Sequence, residues 1–293
     1  MKVLVTGATG YIGGRLVPRL LEQGHAVRVL VRVEARPWAE RVEVAVGNLL
    51  DPESLGPALA GVDTAYYLVH SMGSGKDFEE RDRTAAANFV AAALAAGIGK
   101  VIYLGGLLPA GEDVSDHLRS RAEVGEILRK GLPATEFRAG PIIGSGSASF
   151  EMVRHLTERL PAMIAPKWVL NEVQPIGVRD VLSYLVLALE REPLGVIDIG
   201  SDRMTFRQMM LGYAGVRGLR RFIIPVPVLT PRLAGLWVGL VTPIPNTLAV
   251  PIIKGMVHPV VADTTRARQL FPEVEPSFYR EAVELALRSD AAG

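Results

Sequence analysis

Apolar residues along this chain alternate between short unbroken runs and longer stretches in which they recur at helical intervals. The unbroken runs fall at 2–6, 26–31, 42–46, 63–69, 100–105, 134–138 and 196–199, and have the length and texture of strands covered on both faces. Between them, 11–23, 52–60, 78–96, 116–130 and 179–191 predict helices; in the first, Leu16, Leu20 and Leu21 share one face. Such alternation implies parallel strands with helices on both sides, a doubly wound α/β architecture. Because neighbouring strand residues point to opposite faces, only one of Tyr66 and Tyr67 is expected to meet the core. The last third has another texture, with short helices and proline-rich turns that do not extend a parallel sheet. The expected division is a core of 1–145, with 175–201 returning to it, and a smaller apolar lobe of 146–174 and 202–293 over the carboxyl ends of the strands.

The first strand runs into Thr6-Gly7-Ala8-Thr9-Gly10-Tyr11-Ile12-Gly13, a glycine-rich turn that opens a helix. Gly7 suits the tight turn, Gly10 lets backbone N–H groups approach a pyrophosphate, and Gly13 lets helix and strand pack closely. A GxxGxxG alone is a weak signal, but a strand before it, a helix after it and a second strand about 20 residues on make a Rossmann-type dinucleotide site. That second strand ends in Val31-Arg32, with Arg36 close behind and no carboxylate at the strand end to bond a ribose 2′-hydroxyl. A guanidinium there matches a 2′-phosphate, so NADP(H) is favoured over NAD(H). After the third strand, Asn48 is placed to meet the adenine edge and Leu49 its ring. Leu68, Val69 and His70 end the fourth strand, and Gly105 and Gly106 the fifth, along the path of the cofactor.

Composition narrows the partners. A net charge of +1 leaves no basic excess for a phosphate backbone, which disfavours nucleic acid. The chain has no cysteine, and its five histidines show no metal-binding spacing, so thiol chemistry and metal ligation are not expected. Met1 leads directly into a core strand, from which a cytoplasmic protein without a signal peptide is expected. One stretch stands apart: from Phe222 to Val261 the only charges are Arg232 and Lys254, while Pro225, Pro227, Pro231, Pro243, Pro245 and Pro251 cut the run below spanning length. A buried lobe is the simplest account; a homodimer face or contact with a membrane surface are the alternatives.

With the glycine turn, Gly47-Asn48-Leu49, Tyr66-Tyr67-Leu68-Val69-His70, Asn88 and Val101-Ile102-Tyr103-Leu104-Gly105-Gly106 in order, the chain resembles the short-chain dehydrogenase/reductase superfamily, in particular its atypical branch. His70-Ser71-Met72, His117-Leu118-Arg119-Ser120-Arg121, Arg138-Ala139-Gly140, the stretch Gly144 to Glu151 and Leu240 to Pro245 are similar to the bacterial NmrA-like NAD(P)H-binding proteins of YbjT type. The resemblance implies a catalytic serine and a Tyr-x-x-x-Lys pair, and here the chain departs. Four places after its seven tyrosines stand Arg15, His70, Ser71, Leu107, Ala188, Arg217 and Val283. Gly105 and Gly106 occupy the place of the serine, and His117 and Arg121 that of the pair.

His117 and Arg121, at i and i+4, share a helix face and are the substitute catalytic pair; the competing account makes His117 a packing residue beside an Asp116 or Ser115 cap. His70, Ser71 and Met72 are expected to line the substrate end, in a Gly/Ser loop suited to a lid. Arg138, at the end of the sixth strand, meets either an anionic substrate or a structural carboxylate such as Glu151. Asp180 reads as a helix N-cap. Two functions follow: a reductase or isomerase of a small apolar carbonyl or enoyl compound, or a non-enzymatic NADP(H) sensor or assembly protein.

Overall fold

The computed structural model describes residues 1–33, 41–71, 77–109, 111, 114–227 and 230–291. Arg36 and Met72 lie outside the described residues. The chain divides into two compact units: Met1–Gly106 with Ser120–Arg138 and Leu182–Ile197, and Leu107–Arg119 with Ala139–Val181 and Asp198–Gly293.

The first unit is built on β1 (Lys2–Thr6), α1 (Gly13–Glu22), β2 (Ala26–Val31), β3 (Glu43–Val46), α2 (Leu55–Leu59), β4 (Thr64–Tyr67), α3 (Phe78–Ala96), β5 (Lys100–Gly106), α4 (Asp116–Gly131) and β6 (Ala134–Ala139). With β11 (Gly195–Ile199), these strands form a seven-stranded sheet ordered β11-β6-β5-β4-β1-β2-β3. The pairs β1–β2, β1–β4, β2–β3 and β4–β5 are parallel. Chain order reverses at β1, whose neighbours are β2 and β4, so a crevice opens at the carboxyl ends of β1 and β4. Thr6 ties those ends together: its hydroxyl donates to the Tyr66 carbonyl at 3.1 Å and accepts from the Leu68 N–H at 3.1 Å.

Tyr66 and Tyr67 are both buried, against the expectation that one would face away from a core. The reason is the second layer of helices. Tyr67 sits edge-on to Phe89 of α3 at 5.1 Å and to Tyr103 at 6.1 Å on one face, while the Tyr66 hydroxyl donates to the Leu185 carbonyl at 2.7 Å on the other.

The second unit contains β7 (Ile142–Ile143), α5 (Ala148–Arg159), β8 (Ala162–Pro166), β9 (Glu172–Val173), β10 (Ile176–Gly177) and the start of α6 (Val178–Leu187). After β11 (Gly195–Ile199), which ends the large sheet, come β12 (Met204–Thr205), α7 (Phe206–Val216), β13 (Phe222–Val226), α8 (Pro231–Val241), α9 (Asn246–Gly255), α10 (Thr265–Leu270) and α11 (Tyr279–Ala291). Its core joins Phe150, Met209, Tyr213, Ile253 and Val283, with Phe150 edge-on to Tyr213 at 5.8 Å. Two of the prolines that cut the apolar run stand at helix starts. Pro231 is the first residue of α8, capped by the Thr230 hydroxyl, and Pro245 immediately precedes α9. Among the described residues, no helix is long and apolar enough to cross a membrane.

Two further expectations are corrected. Asp180 lies inside the first turn of α6 and accepts from the Ser277 N–H at 3.0 Å, so it anchors a distant loop rather than capping its own helix. Arg138 donates to Glu136 at 2.8 Å, whereas Glu151 accepts from the Gly146 N–H. Glu136 is almost fully buried and also meets Arg129 at 3.0 Å, so its charge has two guanidinium partners.

Candidate functional site

The glycine turn has the geometry its residue types require. Gly7 has φ +67°, and a Cβ there would lie 2.6 Å from the Leu68 carbonyl oxygen. The Gly10 N–H closes the turn on the Gly7 carbonyl at 2.9 Å, and a Cβ on Gly13 would lie 2.3 Å from that same oxygen. Side chains are thus excluded where strand, turn and helix come within touching distance. No side chain caps α1 and its first turn holds no acid, so nothing of its own neutralises the helix N-terminus.

A cavity of about 480 Å³ opens at this turn, within the range of small-molecule sites. Gly7, Thr9 and Gly10 form one wall, Arg32 stands at the end of β2, and Asn48 and Leu49 follow β3. Leu68, Val69, His70 and Ser71 line the side beyond β4. The structure therefore gathers nine of the residues expected for the cofactor, together with Ser71. Tyr11, Ile12, Gly13, Gly105 and Gly106 do not line it. Tyr11 instead turns its ring to Arg15, whose guanidinium carbon is 4.1 Å from the ring centre, and Gly13 acts by close packing. Asn48 fixes its own loop, accepting from the Leu50 N–H at 3.1 Å, and Asn88 secures the Leu49 carbonyl at 2.9 Å.

Two residues that the sequence pattern did not single out, Arg81 and Asp82, bear on the site. Arg81, from the first turns of α3, lines the cavity and adds a second guanidinium to Arg32. Asp82 is buried beside the loop after β4: one carboxylate oxygen is 2.9 Å from His70 Nδ1 and accepts from the Ser120 hydroxyl at 3.0 Å, and the other accepts from the Ser71 N–H at 3.0 Å. Burial works against the Asp82 charge, but the bonds from His70, Ser71 and Ser120 outweigh it and hold the carboxyl below its ordinary range. Burial also pushes the His70 imidazole below its usual value, more strongly than Asp82 raises it, and Arg121 adds to the lowering. A neutral imidazole donates Nδ1–H to Asp82, leaving Nε2 as an acceptor; that nitrogen is buried and has no hydrogen-bond partner among the described residues.

The two residues of the expected catalytic pair fall in different compact units although both belong to α4. Arg121 is in the first, close enough to influence His70 and Tyr103 electrostatically, and its carbonyl accepts from the Tyr103 hydroxyl at 3.0 Å. Burial pushes the Tyr103 phenol up to about 12. His117 is buried in the second unit, with Nδ1 3.1 Å from the Ser115 hydroxyl and its ring against the backbone of Gly255.

A doubly wound parallel sheet with a glycine turn, an open helix N-terminus and a cavity at the switch point has the form of a dinucleotide-binding fold. Residues 7–136 match the family model described as NAD(P)H-binding. The chain is similar to a ceramide reductase of Caulobacter vibrioides, 29% identical over 237 residues, covering 77% of this chain and 73% of that one. It is 34% identical over 113 residues to a 3-beta-hydroxysteroid dehydrogenase of Mycolicibacterium neoaurum, covering 35% of this chain and 31% of that protein's length. Among solved structures, the triphenylmethane reductase of Citrobacter sp. superposes with a TM-score of 0.77 at 21% identity, covering 98% of this chain and all of the other. Its likeness is one of fold.

Proposed function

We propose that this chain is an NADP(H)-dependent reductase or isomerase acting on a small apolar carbonyl or enoyl compound. The observation that carries the reading is the cavity lined in common by the glycine turn, Arg32 and His70. Gly7, Thr9, Gly10, Tyr11, Ile12 and Gly13 serve the pyrophosphate turn by contact or by packing. Arg32 meets the 2′-phosphate, with Arg81 lining the same cavity, and Asn48 and Leu49 hold the adenine. Leu68, Val69, His70, Gly105 and Gly106 follow the cofactor toward its nicotinamide end, with Ser71 on the substrate side.

When bound, the reduced nicotinamide supplies a hydride. The chain's own residues then have to position an electrophile and manage one proton. Arg121 and His117 remain the substitute pair for the missing tyrosine and lysine. His70 is the stronger proton carrier on geometry, because Asp82 fixes its tautomer and its Nε2 has no partner among the described residues. Relatives named as reductases and dehydrogenases support an oxidoreductase.

The test is NADPH consumption across a panel of apolar ketones, aldehydes and enones, with His70→Ala and His117→Ala alongside wild type. Loss of turnover in His70→Ala with NADPH affinity retained supports the reading. Unchanged turnover in both variants overturns the histidine assignments.

A second reading, a non-enzymatic NADP(H) sensor or assembly protein, rests on the lack of Tyr-x-x-x-Lys at any of the seven tyrosines. It predicts tight cofactor binding with no consumption across the whole panel.

A further inference from the structure

The second unit contains a cavity of its own, of about 660 Å³, and every residue lining it belongs to that unit. Helices α5, α7, α8 and α9 and strands β8 and β13 contribute to its walls. The lining carries no charged side chain, and its polar side-chain groups are the indole N–H groups of Trp168 and Trp237. The Trp168 N–H is buried and has no acceptor among the described residues. A buried indole normally finds a partner, because an unmade bond there is costly. The apolar wall also continues outward: the lining residues Ile164, Leu233 and Trp237 are 61%, 56% and 39% exposed.

On α5 the acids Glu151 and Glu158 are paired with Arg154, and Lys254 of α9 is paired with Asp116. Across 160–171 and 222–256, the segments that supply β8, β13, α8 and α9, the only charged residues are Lys167, Arg232 and Lys254, and there is no acid. Lys167 adjoins Trp168 in the chain and is exposed. A hydrocarbon-lined space with an open apolar mouth, an indole donor without a partner among the described residues and the exposed Lys167 next to it in the chain is complementary to a single-chain anionic amphiphile.

We propose that this cavity binds a long-chain alkyl carboxylate, with the chain among the α5, α7 and α8 side chains and an oxygen accepting from Trp168 Nε1. The volume suits one such chain, since small-molecule sites span roughly 300–1,000 Å³. The proposal stands apart from the cofactor reading.

Two of the three tryptophans, Trp168 and Trp237, line the cavity, and this gives a direct probe. The full chain is titrated with 9,10-dibromostearate below its aggregation concentration, following intrinsic fluorescence. Saturable quenching with one-to-one stoichiometry is expected, and it should be largely abolished when Trp168→Phe and Trp237→Phe are combined. Direct calorimetry with unbrominated stearate should give affinity about tenfold weaker in Trp168→Phe alone, the effect of one hydrogen bond to a charged group. Absence of saturable quenching in wild type that melts cooperatively overturns the proposal, as does quenching that persists in the double variant. A third arm uses phosphatidylcholine vesicles with and without phosphatidylglycerol. Association with vesicles alone, without uptake of the monomeric acid, would make the exposed apolar face a membrane contact and also overturn the proposal. NADPH titration of the same preparation reports the first unit independently.

Discussion

His70 Nδ1 lies 2.9 Å from the Asp82 carboxylate at the carboxyl end of β4, and both groups have pKa values below their ordinary ones. Stability therefore depends on pH with a definite sign. The unfolded chain protonates His70 near 6.5, whereas the folded chain resists protonation to lower pH. This contribution is fully present above about pH 6.5 and is lost as pH falls through the depressed folded value; Asp82 adds a loss of the same sign in the carboxylate range. Thermal melts recorded downward from neutral pH should show the midpoint falling, and His70→Asn should flatten the first part of that fall. An unaltered slope in the variant would assign the acid sensitivity to other groups.

Gly13→Ala should damage both fold and cofactor site. Its Cβ would sit 2.3 Å from the Gly7 oxygen and 2.7 Å from the Ala8 Cα, both backbone atoms that cannot swing away. Overpacking of this kind costs about 1–3 kcal/mol. Denaturant titration should report a loss in that range, and NADPH affinity should fall with it.

Arg32→Ala is expected to weaken NADPH by about 10–100-fold, the effect of losing a charge-assisted hydrogen bond or two, while NADH changes little. Arg81→Ala, at the same cavity, should add to the loss for NADPH. Competition titrations with the two reduced cofactors check this. Equal weakening of both by Arg32→Ala would remove that residue from the 2′-phosphate.

Gly125→Ala should destabilise the first unit although it touches no ligand. Its Cβ would lie 2.5 Å from one Glu136 carboxylate oxygen and 2.7 Å from the other. Glu136 cannot retreat freely, because Arg129 and Arg138 hold it from their own elements. A loss of about 1–3 kcal/mol in denaturant titration is expected. Stability equal to wild type would mean that the carboxylate relocates without penalty.

Much of this was legible in the residue pattern. The apolar run at 26–31 became β2 with the same bounds, and the periodicity over 78–96 became α3. The glycine spacing located the turn because each glycine answers a contact that a Cβ would violate. Asp82 was also legible in principle: with Ala85, Ala86, Phe89 and Ala93 it continues one buried stripe of α3 at spacings of three and four, so a carboxylate there demanded a partner. Ser120 sits likewise on a stripe with Val124 and Leu128. The pairing of Asp82 with His70 was not legible, since it depends on where the loop after β4 falls against α3. Arg138 illustrates the same limit, because Glu136 lies two residues away on its own strand and won over the more distant Glu151. Asp180 reads as a cap in sequence, and only tertiary packing reveals the Ser277 amide it holds.

The most direct test of the account is calorimetric titration of cofactor-stripped protein with NADPH, NADP⁺, NADH and NAD⁺. The cavity at the Gly7 turn predicts one-to-one binding of nicotinamide dinucleotide, and the guanidinium groups of Arg32 and Arg81 predict that the two phosphorylated cofactors bind more tightly. Tighter binding of NADH and NAD⁺ would contradict the 2′-phosphate assignment, and no binding of any of the four would contradict the site itself.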